Sequence, residues 1–195
     1  MARVLGGADR IAAWAHHPPR DVVNGPMRAR YYYHCHNPGD RAVAEHGHFH
    51  LFVGRNSLPR RVRPLIRPPE ARRPRPALVH IAALAIDRRG VPMAWQAPNR
   101  WVTDEWLYPA DAIARLVPTV SFDGPQGDPL VSRWLGAMLR ASQQPVAAML
   151  AARDEYLLRH DPAGEDRAIE IAAQIAIDPD ALMASPESDA TPPPG

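Results

Sequence analysis

Two short runs place histidine on alternate residues: EHGHFHLFV (45–53) carries His46, His48 and His50, and YYYHCH upstream carries His34 and His36. In an extended strand alternate side chains share a face, so each run would line one side of a strand with imidazole. Crowded imidazoles disfavour one another's protonation, and a transition metal turns that crowding into coordination. Three histidine nitrogens plus an open position is the pattern of catalytic zinc, and iron or copper accepts the same donors. The spacing therefore predicts a transition-metal site, with Zn, Fe and Cu not distinguished by imidazole alone.

HNPGDRAVAE joins the two runs and is rich in turn formers. If it closes an antiparallel hairpin with His36 opposite His46, then His34 faces His48 and Tyr32 faces His50. All five histidines then share one face, and Tyr31, Tyr33, Cys35, Phe49 and Leu51 share the other. Burial of that second face would hold the register, because a slip of one residue would send the imidazoles into the core. His80, in the apolar stretch ALVHIAALAID, is expected on a neighbouring strand with Ala82, Leu84 and Ile86 on its own face, giving a ligand set of His34, His36, His46, His48, His50 and His80. Glu45 could complete a set of two histidines and one carboxylate or orient a ligand from outside. Its strand parity places it on the opposite face and favours the outer role.

A second cluster, MAWQAPNRWVTDEW, gathers aromatic and charged residues. Trp95, Arg100 and Asp104, together with Tyr32, are expected to line a pocket for a polar small-molecule substrate. Asp104 and Glu105 point to different faces, so at most one of the pair serves. A metal beside such a pocket would activate water or bind dioxygen, the chemistry of a hydrolase or an oxygenase.

HGHFHLF also resembles, position by position, the signature of the histidine-triad nucleotide hydrolases. That resemblance implies His48 as the nucleophile toward an α-phosphate, with His46 and His50 in support, and leaves His34 and His36 without a role. A wider arrangement over about residues 28–160 (the YYYHCH hairpin, HIAAL, NRWVTDEW, SRWLGAML and a downstream ARD) is similar to a bacterial family classed only as a domain of unknown function. It implies a single domain and no particular activity.

The elements that must carry these residues read as α+β. About four antiparallel strands are expected, from RARYYYHCH, HGHFHLFVG, ALVHIAALAID and VPMAWQA, with a mainly helical C-terminal half packed on one face. ADRIAAWAH (8–16) suits a short helix stopped by Pro18 and Pro19. PADAIARLV suits another. GDPLVSRWLGAMLRA offers Asp128 as cap and Pro129 at the first helical position, with Leu130, Trp134, Leu135, Met138 and Leu139 on one face. PVAAMLAARDEYLLRH carries a stripe of Val146, Met149, Leu150 and Leu157, and GEDRAIEIAAQIAI reads as a third long helix. One domain is expected over 1–177, with 178–195 a disordered tail ending in three prolines.

Composition narrows the function classes. The 195 residues include 23 basic residues, all arginine, against 21 acidic ones, for a net charge of +2. The stretch 55–76 holds eight of those arginines with six prolines and suits a solvated loop. Arg60, Arg61 and Arg63 could still draw an acidic partner, but no aromatics are interleaved to stack on bases, so nucleic acid is not an expected partner. Cys35 is the single cysteine, and no apolar run reaches the roughly 18 residues of a membrane span. A cytoplasmic, non-membrane protein is expected.

Overall fold

The computed structural model describes residues 12–37, 44–67 and 77–184. Its centre is one antiparallel sheet of six strands in sequence order: β1 (His17–Asn24), β2 (Ala29–Cys35), β3 (Gly47–Gly54), β4 (Leu78–Ile86), β5 (Pro92–Pro98) and β6 (Ile171–Ala176). Four of these are the strands that the apolar alternation predicts. The two extra strands form the edges. β1 tolerates Pro18 and Pro19 because an edge strand needs hydrogen bonds on one side only, and its pairing with β2 is irregular between His17 and Val22. β6 lies within the segment expected to be a third long helix. IAAQIA is instead extended, paired with β5 from Ala94↔Ala176 to Pro98↔Ile171, so an open sheet edge has overridden the helical preference of alanine.

The α-helices among the described residues are α1 (Arg100–Thr103), α2 (Ala110–Ala114), α3 (Pro129–Ala141), α4 (Gln143–His160) and α5 (Pro179–Ala184). Asp128 caps α3 by accepting from the amides of Leu130 and Val131, and Pro129 occupies the first turn. Of the α3 stripe, Leu135, Met138 and Leu139 are buried, while Leu130 is exposed. The α4 stripe is buried at Val146, Met149, Leu150 and Leu157. The helix expected over 8–16 is absent in residues 12–16, where Trp14 has a left-handed φ of 67°; its first residues lie outside the described ones. Of the expected tail, residues 179–184 are helical and 185–195 lie outside the described residues.

One core holds the sheet to the helices. Tyr31, Tyr33, Phe49, Leu51, Leu84 and Trp95 from the sheet meet Leu135, Leu139, Val146 and Leu150 from α3 and α4. The start of the arginine-rich stretch is tied down: Arg55 donates to the Tyr108 hydroxyl at 2.8 Å and to the carbonyls of Leu58 and Val62, and Ile66 bridges Leu107. Arg60, Arg61 and Arg63 are exposed, and residues 68–76 lie outside the described ones. No helix among the described residues is long and apolar enough to cross a membrane.

Candidate metal centre

The β2–β3 register is the one that histidine alternation requires: His34 stands opposite His48, and Tyr32 opposite His50. Tyr31, Tyr33, Phe49 and Leu51 therefore enter the helix-covered core, and the imidazoles emerge on the other side of the sheet. There His34, His48, His50 and His80 are all buried. The Nε2 atoms of His48 and His50 are 3.1 Å apart, and donor atoms of His34, His48 and His50 all lie within 4.8 Å of one another. The His34 ring centroid is 4.5 Å from that of His48 and 5.1 Å from that of His50.

His80 reaches this face by a route that simple alternation does not contain. Pairing of β3 with β4 shifts between Leu51↔Ala82 and Phe52↔His80, leaving Ile81 as an extra residue. Ile81 and Ala82 both enter the core, followed by Leu84 and Ile86. Ala82, Leu84 and Ile86 thus lie on the face opposite to His80, contrary to the expectation of a shared face. Without the bulge His80 would have the parity of Leu84 and enter the helix side; with it, the imidazole turns to the histidine face. Its Nε2 lies 3.0 Å from Nδ1 of His50.

At the other end of β3 the alternation stops at Gly47. Glu45 and His46 exchange the sides that strand parity assigns them. Glu45 Oε1 is 2.8 Å from Nδ1 of His48, and Glu45 Oε2 accepts from Gln96 Nε2 at 3.1 Å. His46 turns toward the core side, with Nδ1 2.5 Å from the Tyr33 hydroxyl and its ring parallel to that of Tyr33. The cause is steric. A Cβ at position 47 would come within 2.3 Å of the His34 carbonyl oxygen and 2.5 Å of the Tyr33 hydroxyl, so Tyr33 fills the place of a side chain and reaches His46. His36 stays near the cluster, its ring 4.9 Å from His34 and 5.0 Å from His48, with Trp14 edge-on at 4.4 Å.

Hydrogen bonding sets the chemistry of these rings. A carboxylate only accepts, so Nδ1 of His48 carries a hydrogen and donates to Glu45. Both nitrogens of His48 are then engaged, Nδ1 with Glu45 and Nε2 with His50. Burial holds His50 well below the ordinary imidazole range, reinforced by His48, His80 and His34. His80 is lowered to about 3, first by burial and then by the positive charge of Arg153. Both are neutral at physiological pH and present lone pairs, the form in which imidazole binds metal.

Tyr32 is the one residue of the expected pocket that borders the cluster. Its ring lies 5.1 Å from His50 and 5.9 Å from His34, and burial raises its hydroxyl far above the usual range. Trp95 pairs with Leu84 and enters the opposite, core face. Arg100 is buried and bonds Asp104 at 3.3 Å and Glu165 at 3.4 Å, while Asp104 is exposed and ends α1 in a left-handed conformation. With Asn99 donating to Asp161 at 2.8 Å and the Trp101 indole donating to the Asp166 carbonyl, this segment fastens the 161–170 loop. The structure does not bring Trp95, Arg100 or Asp104 to the imidazoles.

Two residues near the site stand out in the structure more than in the sequence. His16 stacks on Tyr32, with ring centroids 3.7 Å apart and planes within 8°, and its Nδ1 is 2.8 Å from Asp21. Glu105 is raised to about 7, mainly by burial, and its charge acts on Tyr32. Only the parity of DE in TDEW hinted at Glu105, and nothing in AHHPP separated His16 from its neighbour.

A family model described as a domain of unknown function, DUF6969, matches residues 1–177. The chain belongs to that family. No curated protein and no solved structure matches it, so the family contributes membership and no activity. The chemistry must be argued from the buried imidazoles.

Proposed function

We propose that this DUF6969 protein binds a transition metal through His34, His48 and His50, with Glu45 and His80 as outer partners that fix two of the ligands. One observation carries the reading: the Nε2 atoms of His48 and His50 converge to 3.1 Å, while the Nδ1 of each is held from behind, by Glu45 and His80 respectively. Metal–nitrogen bonds of about 2.0–2.1 Å place two ligand nitrogens roughly 2.9 Å apart at a right angle and 3.4 Å apart at a tetrahedral one. The observed separation falls between these. A ligating histidine ordinarily donates its second N–H to a carboxylate or another acceptor, which sets the ring's orientation and raises its basicity. His48 has that partner in Glu45, itself oriented by Gln96, and His50 has it in His80.

Three nitrogens leave coordination positions open, the arrangement of catalytic rather than closed structural sites. Zinc in that setting would activate water; iron or copper would also handle dioxygen. Tyr32 borders the cluster, and the substrate would be a small molecule. The test is elemental analysis of protein purified without a histidine tag, beside His48→Ala and His34→Ala variants. The reading expects bound metal in the wild type, less of it in His34→Ala and none in His48→Ala. A metal-free wild type that takes up no added zinc, copper or iron overturns it.

A further inference from the structure

Two candidate ligand sets exist among the described residues, and they share one member. The first is His34, His48 and His50; the second is His36, Glu45 and His48, again with ligand atoms all within 4.8 Å of one another. The two nitrogens of an imidazole point in divergent directions, and His48 turns Nε2 toward His50 but Nδ1 toward Glu45. Glu45, of the second set, and His50, of the first, therefore meet opposite ends of one ring. From this we infer that the protein holds a second cation at His36, Glu45 and His48, and that the His48 ring bridges the two metals as an imidazolate. The inference rests on the metal reading of the first set.

Charge and proton balance are consistent with this arrangement. With only the first cation bound, the hydrogen on Nδ1 of His48 is donated to Glu45. A second divalent cation takes that hydrogen's place: the proton leaves to solvent, Nδ1 becomes a ligand and Glu45 changes from hydrogen-bond acceptor to ligand. The Glu45 carboxylate and the imidazolate offset the added charge, which a set of neutral imidazoles alone would not do. Two metal–nitrogen bonds of about 2.0–2.1 Å plus the width of the ring place the ions roughly 6 Å apart. That exceeds the roughly 3.5–4 Å over which two metals share one oxygen in hydrolytic centres, so the pair belongs to the class in which one ion tunes the other through a ring.

The second set is the less buried one residue by residue: His36 and Glu45 are partly buried overall, although the Glu45 side chain is only 7% exposed, whereas His34, His48 and His50 are buried. Its cation should bind after the first and leave before it. Trp14 lies edge-on to His36 at 4.4 Å and 5.8 Å from His34, so its fluorescence reports metal at this end of the cluster.

The experiment is a copper(II) titration of the metal-free full chain, read by bound copper per chain and by electron paramagnetic resonance. Two coppers per chain are expected, with the signal of the doubly loaded protein reduced well below two equivalents by coupling through the ring. His36→Ala should bind one copper with a full, uncoupled signal, and Glu45→Gln, which keeps the side-chain volume, should do the same. Circular dichroism and the thermal transition of each variant establish that it is folded. One copper in the wild type, lost in His34→Ala, overturns the second site and leaves the first standing. Two coppers with a full signal overturn the bridge, and no bound copper overturns both readings together.

Discussion

The Nε2 atoms of His48 and His50 face each other at 3.1 Å, and the Nδ1 atoms face away, to Glu45 and His80. In the metal-free protein these contacts can be satisfied only in a directed chain, since a neutral imidazole has one donor and one acceptor nitrogen. His48 donates to Glu45, so His50 must donate to His48 from Nε2, and His80 must donate from Nε2 to Nδ1 of His50. A metal between the Nε2 atoms replaces the His50–His48 bond and reverses the His80–His50 one: His50 carries its hydrogen on Nδ1, and His80 accepts. Nitrogen-15 NMR should show the protonated nitrogen of His50 moving from Nε2 to Nδ1 as zinc is added, and Nε2 of His80 losing its hydrogen. An unchanged His80 tautomer in the zinc-loaded protein would count against the proposed ligand set.

Removal of the carboxylate behind His48 should weaken the metal without abolishing it. Loss of an outer partner of this kind typically costs 10–100-fold in affinity, so Glu45→Ala is expected to bind zinc at the first site about that much less tightly, in competition with a chromophoric chelator. Gln96→Ala, which only loosens Glu45, should cost less. Equal affinities for wild type and Glu45→Ala would mean that Glu45 does not orient the ring.

Acid should destabilise the metal-free protein earlier than its carboxylates alone would dictate. His50 and His80 are buried neutral, His80 with its pKa near 3, while in the unfolded chain each titrates near 6.5. Below that pH the unfolded state binds more protons, so stability falls as pH falls, beginning near pH 6.5 and continuing toward the folded value. Two such groups give a slope of at most about 2.7 kcal/mol per pH unit. Urea midpoints measured from pH 7.5 to 5 should decline, and His80→Phe should flatten the decline. A flat profile would show that these rings take up protons while folded.

Much of the centre was legible because two independent periodicities agree. Tyr31, Tyr33, Phe49 and Leu51 demand a core on one face, and His34, His48 and His50 then have to occupy the other; that pair of demands fixes the observed register. Illegible were the two places where the period of two breaks. The Ile81 bulge moves His80 across the sheet, and no residue in VHIAAL announces it, since alanine and isoleucine fit either face. Gly47 releases Glu45 and His46 from strand parity, and the packing of Tyr33 against position 47 that decides their sides arises only from tertiary structure. The edge strands failed for a related reason. β1 contains two prolines and β6 is alanine-rich, and both are extended because the neighbouring strand offers hydrogen bonds.

Position 47 gives a direct test of how tightly the hairpin supports the site. A Cβ added there would meet the His34 carbonyl oxygen at 2.3 Å and the Cys35 Cα at 2.8 Å, both backbone, as well as the Tyr33 hydroxyl at 2.5 Å. The tyrosine can be shortened, but the backbone cannot yield without parting β2 from β3 beside His34 and His48. Overpacking of this kind costs about 1–3 kcal/mol, and the upper end applies because two of the three contacts are main chain. Gly47→Ala should therefore lower the urea midpoint of the metal-free protein markedly. Tyr33→Phe in the same chain should recover only part of the loss, since it relieves one contact of three. Zinc affinity should fall with the midpoint, because the displaced strand carries His34. A Gly47→Ala protein as stable as the wild type would show that the β2–β3 pairing at Cys35 and Gly47 is looser than the structure has it.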